Sequence, residues 1–265
     1  KDGATTRQVI STTVKENSNV DSPKMVSVLS GTAEDGSTSI NYNIEMGKYE
    51  VTHEKLIKFL NDFEVFSDGS YKDKKLIDLD ESAVGYDDRF YFAGNDYAES
   101  EDTPVIYVTW YGALAYSNWL SEQDELIPAY DLNNWKLKNS DQSTLEGYRL
   151  PTENEWEYAA RGGANGAATT YAGAADTDDS EADDPDDPTT LELADVAWYD
   201  NNSGGKTHPV GTKQPNDLGI YDMSGNVYEW CWDRYDSDYY SNSPQDNPKG
   251  PSSGSYRVLG GGDWS

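Results

Sequence analysis

The sequence predicts an α+β fold in a single domain, with few helices and many short, irregular strands. Three observations carry that expectation. Helix patterns open at Thr52, Thr109 and Thr152, each a residue type that caps a helix start. Elsewhere the chain reads as short strand-like patches separated by Gly, Pro, Asn and Asp. Finally, 20 Tyr, 8 Trp and 5 Phe stand against an apolar fraction of 35% and a mean hydropathy of −0.83. Low hydropathy alone would suggest disorder, but disordered chains lack large rings. The 265 residues suffice for a real core, and no repeat of 20–50 residues divides them.

Residues 1–24 are polar, with β-type patches at Val9-Ile10 and 12–14, and read as an extended arm. That arm is expected to pair with a neighbouring subunit. Residues 25–29 alternate like a strand, and residues 40–49 read as a second one after Gly36. From Thr52, Leu56, Leu60 and Phe63 recur at helical spacing, with Phe59 and Phe66 widening the stripe. Residues 67–100 form a turn-rich acidic insertion with a short strand at 90–92. Thr109 opens a helix through Leu120 that Gly112, Ala113 and Ala115 keep thin for close packing.

The sharpest helix signal spans residues 152–163 (TENEWEYAARGG). Thr152 and Glu155 make a capping box, and Gly162 or Gly163 supplies the left-handed stop. Trp156, Ala159 and Ala160 share an apolar face. A second acidic insertion, near 173–193, holds the run 176–187. Pro185 and Pro188 exclude a helix there, and the run reads as a solvated loop. A calcium loop is the alternative, but the EF-hand spacing is missing.

The net charge of −29 excludes a nucleic-acid binder and disfavours anionic membranes. No apolar run is long enough to predict a membrane span. Cys231 is the single cysteine, which excludes an intramolecular disulfide and a cysteine-based zinc site. His53 and His208 leave little for a transition metal; His53 is expected at the surface and His208 in a turn or the core. The chain opens at Lys1 without a signal pattern, as a processed or trimmed product would. The acidic Tyr/Asn/Ser/Gly-rich composition suits an extracellular or cell-surface setting.

Several blocks are more specific than composition: residues 47–52 (GKYEVT), 108–113 (VTWYGA), 148–162 (YRLPTENEWEYAARG), 207–232 and 257–265 (RVLGGGDWS). In this order they resemble the formylglycine-generating enzyme, or sulfatase-modifying factor, family over residues 25–265. The resemblance implies a variant of the C-type lectin fold. Catalytic members oxidise a substrate cysteine with a cysteine pair and copper. That pair lies downstream of the segment matching residues 261–265, so the usual C-terminal segment and both cysteines are absent here, and copper is not expected. Cys231, between Trp230 and Trp232, matches neither and reads as a packed small hydrophobe. Branches with a His-rich iron site are excluded by the two scattered histidines.

The resemblance also implies calcium. Its first site transfers to the carboxylates of Asp222 and Glu229 with the carbonyls of Gly225 and Val227. A second falls on Asp195, Val196, Asn202 and Gly204. Without the cysteine pair, the expected function is a non-catalytic extracellular binding or assembly module. Its partners would be a protein, a glycan or copies of itself. The alternative is a formylglycine-type oxidase whose catalytic segment lies outside these residues.

Overall fold

The computed structural model describes residues 8–9, 22–34, 36–166, 171–174, 191–239 and 247–265. The first part contains β1 (Gln8–Val9), β2 (Met25–Val28), β3 (Gly31–Thr32), β4 (Ser39–Ile40), β5 (Ile44–Gly47) and α1 (His53–Asp62). Then come β6 (Ser70–Tyr71), β7 (Lys74–Lys75), β8 (Val84–Asp87), β9 (Arg89–Phe92), α2 (Trp110–Gln123), β10 (Tyr130–Asp131) and β11 (Lys136–Leu137). The last part has α3 (Glu153–Ala160), α4 (Leu193–Val196), α5 (Asp200–Ser203), β12 (Glu229–Arg234) and β13 (Arg257–Gly260). These make one small domain of few helices and many short strands, without a barrel.

Helix α1 starts where Thr52 Oγ1 accepts from Lys55 N, 3.5 Å away. It buries Leu56, Phe59 and Leu60, each worth roughly 1.5–3 kcal/mol. Phe66 does not extend that stripe. The helix ends at Phe63, and Phe66 is 58% exposed. Helix α2 is capped by Thr109 Oγ1 on Gly112 N at 3.1 Å and runs three residues beyond Leu120. A Cβ at Gly112 would lie 2.1 Å from the Leu76 carbonyl oxygen, so only glycine permits this approach. In α3 the reciprocal box is present: Thr152 Oγ1 accepts from Glu155 N at 3.1 Å, and Thr152 N donates to Glu155 Oε2 at 2.7 Å. Gly162 follows at φ +83°.

The expected strand over 40–49 is broken. Ser39–Ile40 pairs with β3, and Ile44–Gly47 pairs with β2 in a separate antiparallel register, Met25 opposite Gly47. The break falls on Asn41-Tyr42-Asn43. Asn41 N donates to Asn247 Oδ1, and Asn43 Oδ1 accepts from Ser30 N, so side-chain bonds to distant segments replace the ladder here. The arm expectation for residues 1–24 lies mostly outside the described residues. Its described pair, Gln8–Val9, lies antiparallel on β5 of the same chain. The run 176–187 lies outside the described residues. The 67–100 segment carries two hairpins, β6–β7 and β8–β9.

Two apolar clusters meet at β12. One packs α1 and α2 with Tyr130 and Trp230; the other packs β2, β5 and α3 with Cys231. Successive side chains of a strand point to opposite faces, so one strand serves both clusters. It is tied to α2 and its approach by Trp110 Nε1 donating to the Cys231 carbonyl (3.1 Å) and Trp230 Nε1 to the Val108 carbonyl (2.9 Å).

Candidate metal centre

The loop leading into β12 carries the first set of expected ligands. Gly225 sits at φ +75°, where a Cβ would lie 2.2 Å from the Trp198 carbonyl oxygen. Asp222 and Asn226 also hold positive φ, 59° and 55°. Such backbone is tolerated only where the surroundings fix it. Here Asn226 N donates to the Trp198 carbonyl and Gly225 N to the Gly261 carbonyl, at 2.8 and 2.7 Å. Asn226 Oδ1 accepts from His208 N at 3.0 Å.

Asp222 and Glu229 are both buried. Asp222 Oδ2 accepts from Gly211 N at 2.7 Å, while its Oδ1 is buried with no hydrogen-bond partner among the described residues. Glu229 Oε2 accepts from Trp156 Nε1 at 2.9 Å. A third carboxylate, Glu50 of the GKYEVT block, lies beside them and is not among the residues that the sequence marks as ligands. It is buried, and it accepts from Asn226 Nδ2 (2.7 Å) and Val227 N (3.2 Å).

These three carboxyl groups interact. Burial, then Asp222 and Glu229, push Glu50 well above the usual carboxylate range. Burial pushes Glu229 up to about 8, with Asp222 adding to it, and raises Asp222 to about 6. Removing water disfavours each charge, and like neighbours disfavour it further. The unsatisfied Asp222 oxygen is the position that a cation would take up. Among the described residues, no group of three or more His, Cys, Asp and Glu side chains could hold a metal by itself. Main-chain oxygens, such as those of Gly225 and Val227, are therefore needed to complete an oxygen shell.

The second expected set is used locally. Asp195 is exposed, and its Oδ2 accepts from Glu192 N at 3.2 Å. Asn202 Oδ1 accepts from Tyr199 N at 2.8 Å, and Gly204 is the left-handed end of α5. Val196 is buried. No hydrogen bond joins Asp195 to Asn202 among the described residues.

His53 is not at the surface. It is fully buried at the first turn of α1, with Nδ1 3.0 Å from the Thr103 carbonyl and its ring edge-on to Phe92. Burial pulls its pKa down to about 4. The cap at Thr52 turns this first helical residue inward, onto the 100–103 loop. His208 stacks on Trp198 at 3.7 Å, with Nε2 2.8 Å from the Ser203 carbonyl. Cys231 is fully buried, and burial with nearby carboxylates pushes its thiol well up.

With this fold and loop in view, comparison with known proteins places the chain. It belongs to the family of the sulfatase-modifying factor enzyme 1-like domain, whose model matches residues 10–265. It is 34% identical to the chaperone protein LppX of Paenibacillus barcinonensis, over 63% of this chain and 60% of that protein. It is 32% identical to the formylglycine-generating enzyme of Streptomyces coelicolor, over 65% of this chain and 45% of the enzyme. The chain thus spans only part of the length of these relatives. Among solved structures, Treponema denticola variable protein 1 superposes with a TM-score of 0.59 at 29% identity, covering 91% of this chain and 83% of that one. Among the described residues no helix is long and apolar enough to cross a membrane.

Proposed function

We propose that these residues act as a non-catalytic binding or assembly module on a formylglycine-generating-enzyme-like scaffold, in a C-type-lectin-like arrangement. The observation that carries this reading is Cys231. It is the sole cysteine of the 265 residues, and it is fully buried. A reactive or copper-binding thiol needs to ionise, and apolar burial beside carboxylates opposes that. The module would work outside the cell or on its surface, with a protein, a glycan or copies of itself as partner.

Calcium belongs to the same reading. Asp222, Glu229 and the carbonyls of Gly225 and Val227 would hold it, and it would supply the positive charge that three buried carboxylates lack. The orphaned Asp222 Oδ1 supports this assignment. The second set, Asp195, Val196, Asn202 and Gly204, would take an ion only by giving up the local bonds of Asp195 and Asn202.

The test of function is direct. Incubate the protein with a sulfatase-type cysteine peptide, copper and oxygen, and follow peptide mass. No conversion is expected. Conversion that disappears in Cys231→Ser would overturn the reading in favour of an oxidase.

A further inference from the structure

A cleft of about 690 Å³ opens at the end of β12 remote from Glu229, bounded by β10–β11 and the 249–252 segment. Its charge is opposite to that of the molecule. Five of the 20 basic residues line it, Lys74, Lys136, Arg234, Lys249 and Arg257, against one of the 49 acidic residues, Asp73. Asp73 is already paired with Lys74 at 2.9 Å. The other four cations form no ion pair among the described residues.

The strand register makes this arrangement costly. Arg234 and Arg257 are direct partners across β12 and β13. Like charges directly opposite one another destabilise a sheet. Arg257 is fixed in spite of that: its guanidinium lies 3.7 Å over the Trp110 ring, and Nη1 donates to the Trp232 carbonyl. Burial and Arg234 pull its pKa down to about 10, with Tyr111 and Asp233 opposing the shift. Gln142 also lines the cleft; it is 1% exposed, and its Oε1 has no hydrogen-bond partner.

The rest of the lining narrows the ligand. Half-buried Tyr111 and Trp232 form part of the wall, with Lys74 over the Tyr111 ring at 5.1 Å and Arg257 over the Trp232 ring at 5.2 Å. Asn133 is held by Lys72 and Asp131, and Asn134 Nδ2 donates to Asp131, which leaves the Asn134 amide oxygen with the Ser140 and Ser252 hydroxyls facing hydroxyl groups of a ligand. A cleft of this size holds a small ligand. The overall −29 charge repels long polyanions, so a short one is favoured.

We propose that this cleft binds a short acidic saccharide, its carboxylate or sulfate held by Arg234, Arg257 and Lys249 and its hydroxyls by the amide and serine side chains. This deepens the reading of the chain as a binding module, and it is tested separately from it. The probes for calorimetric titration of the full chain are a uronic acid trisaccharide, its carboxyl-reduced neutral form, a sulfated disaccharide and inorganic sulfate. One of the two acidic saccharides should bind at least tenfold more tightly than both the neutral form and inorganic sulfate. Which one does so distinguishes the carboxylate from the sulfate source. Lys249→Gln, outside the buried core, should weaken that binding at least threefold without shifting the melting temperature, and Arg234→Gln should weaken it as much without lowering the melting temperature. Arg257→Gln should abolish it. Equal binding of the neutral form, inorganic sulfate as tight as either saccharide, no binding at all, or unchanged affinity in both Arg234→Gln and Lys249→Gln would each overturn the proposal. None of these results bears on peptide oxidation, so a failure here leaves the non-catalytic reading to its own assay.

Discussion

Two groups of charge are buried in this protein, and they are balanced differently. At the start of α3, Arg149 and Glu155 are each about 1% exposed and meet in a two-pronged pair, Nη1 to Oε2 at 2.8 Å and Nη2 to Oε1 at 2.7 Å. Tyr42 Oη donates to the same carboxylate at 2.5 Å, and Thr152 N donates to Oε2. The attraction of Arg149 and these donors outweigh the desolvation that opposes them, and hold Glu155 below the usual carboxylate range. Around the 222–229 loop, by contrast, Glu50, Asp222 and Glu229 receive amide, indole and main-chain donors but no cationic side chain. All three are pushed up. The first group is neutralised by the chain; the second lacks its counter-charge. The second group is neutralised by protons or, on the reading proposed above, by a bound cation.

The largest test of this contrast breaks the closed pair. Glu155→Gln leaves a buried guanidinium unpaired, and removal of one partner of such a pair costs about 3–5 kcal/mol. Denaturant unfolding should show a loss of that order, and Arg149→Met with Glu155→Leu should recover part of it. Full recovery of stability in Glu155→Gln alone would mean that the pair is not what balances this site.

The open group should respond to ions. Chelation should lower the melting temperature, and Ca²⁺ should restore it better than Mg²⁺. A ligand at a hundredfold excess over its Kd stabilises by about 2.7 kcal/mol. Glu229→Gln should lose the shift. Sodium chloride that reproduces it, or a mutant that keeps it, would reduce the effect to screening.

A further carboxylate, outside both groups, sharpens the contrast through pH. Asp233 is buried, and burial lifts its pKa to about 7 although it accepts from Glu153 N at 2.9 Å. A raised carboxylate binds its proton more tightly in the folded state. Its contribution is therefore present below the unfolded value and is lost as pH rises through about 7. Between pH 4 and 7, stability measured for the wild type minus that of Asp233→Asn should fall with a slope of at most about 1.4 kcal/mol per pH unit. A rising difference would contradict the assignment. The smallest effect belongs to the helix start beside the closed pair. Thr152→Ala should cost about 1 kcal/mol, read as a shift of the denaturant midpoint, and an unchanged midpoint would show that Glu155 caps the helix alone.

What the sequence discloses follows the range of the interaction. The Thr152–Glu155 box and the Thr109 cap act over three residues, and both are legible. Glu50 is not, because its meaning lies in Asn226 and Val227, some 176 residues away. The cationic cleft is equally hidden: Arg234 and Arg257 become neighbours only through the β12–β13 register. His53 is buried rather than at the surface because a residue just after a cap can face either way, and the 100–103 loop decides it. The broken strand at 41–43 turned on asparagine bonds that a pattern of alternation does not contain.

One feature of β12 has a practical use. Cys231 is the only thiol, it lies at the contact of both apolar clusters, and none of its surface is exposed. An alkylating reagent can reach it only when the strand leaves its place between them. The unmodified protein thus carries its own clock for global opening, and the rate of thiol labelling at low denaturant reads the unfolding equilibrium without any introduced probe.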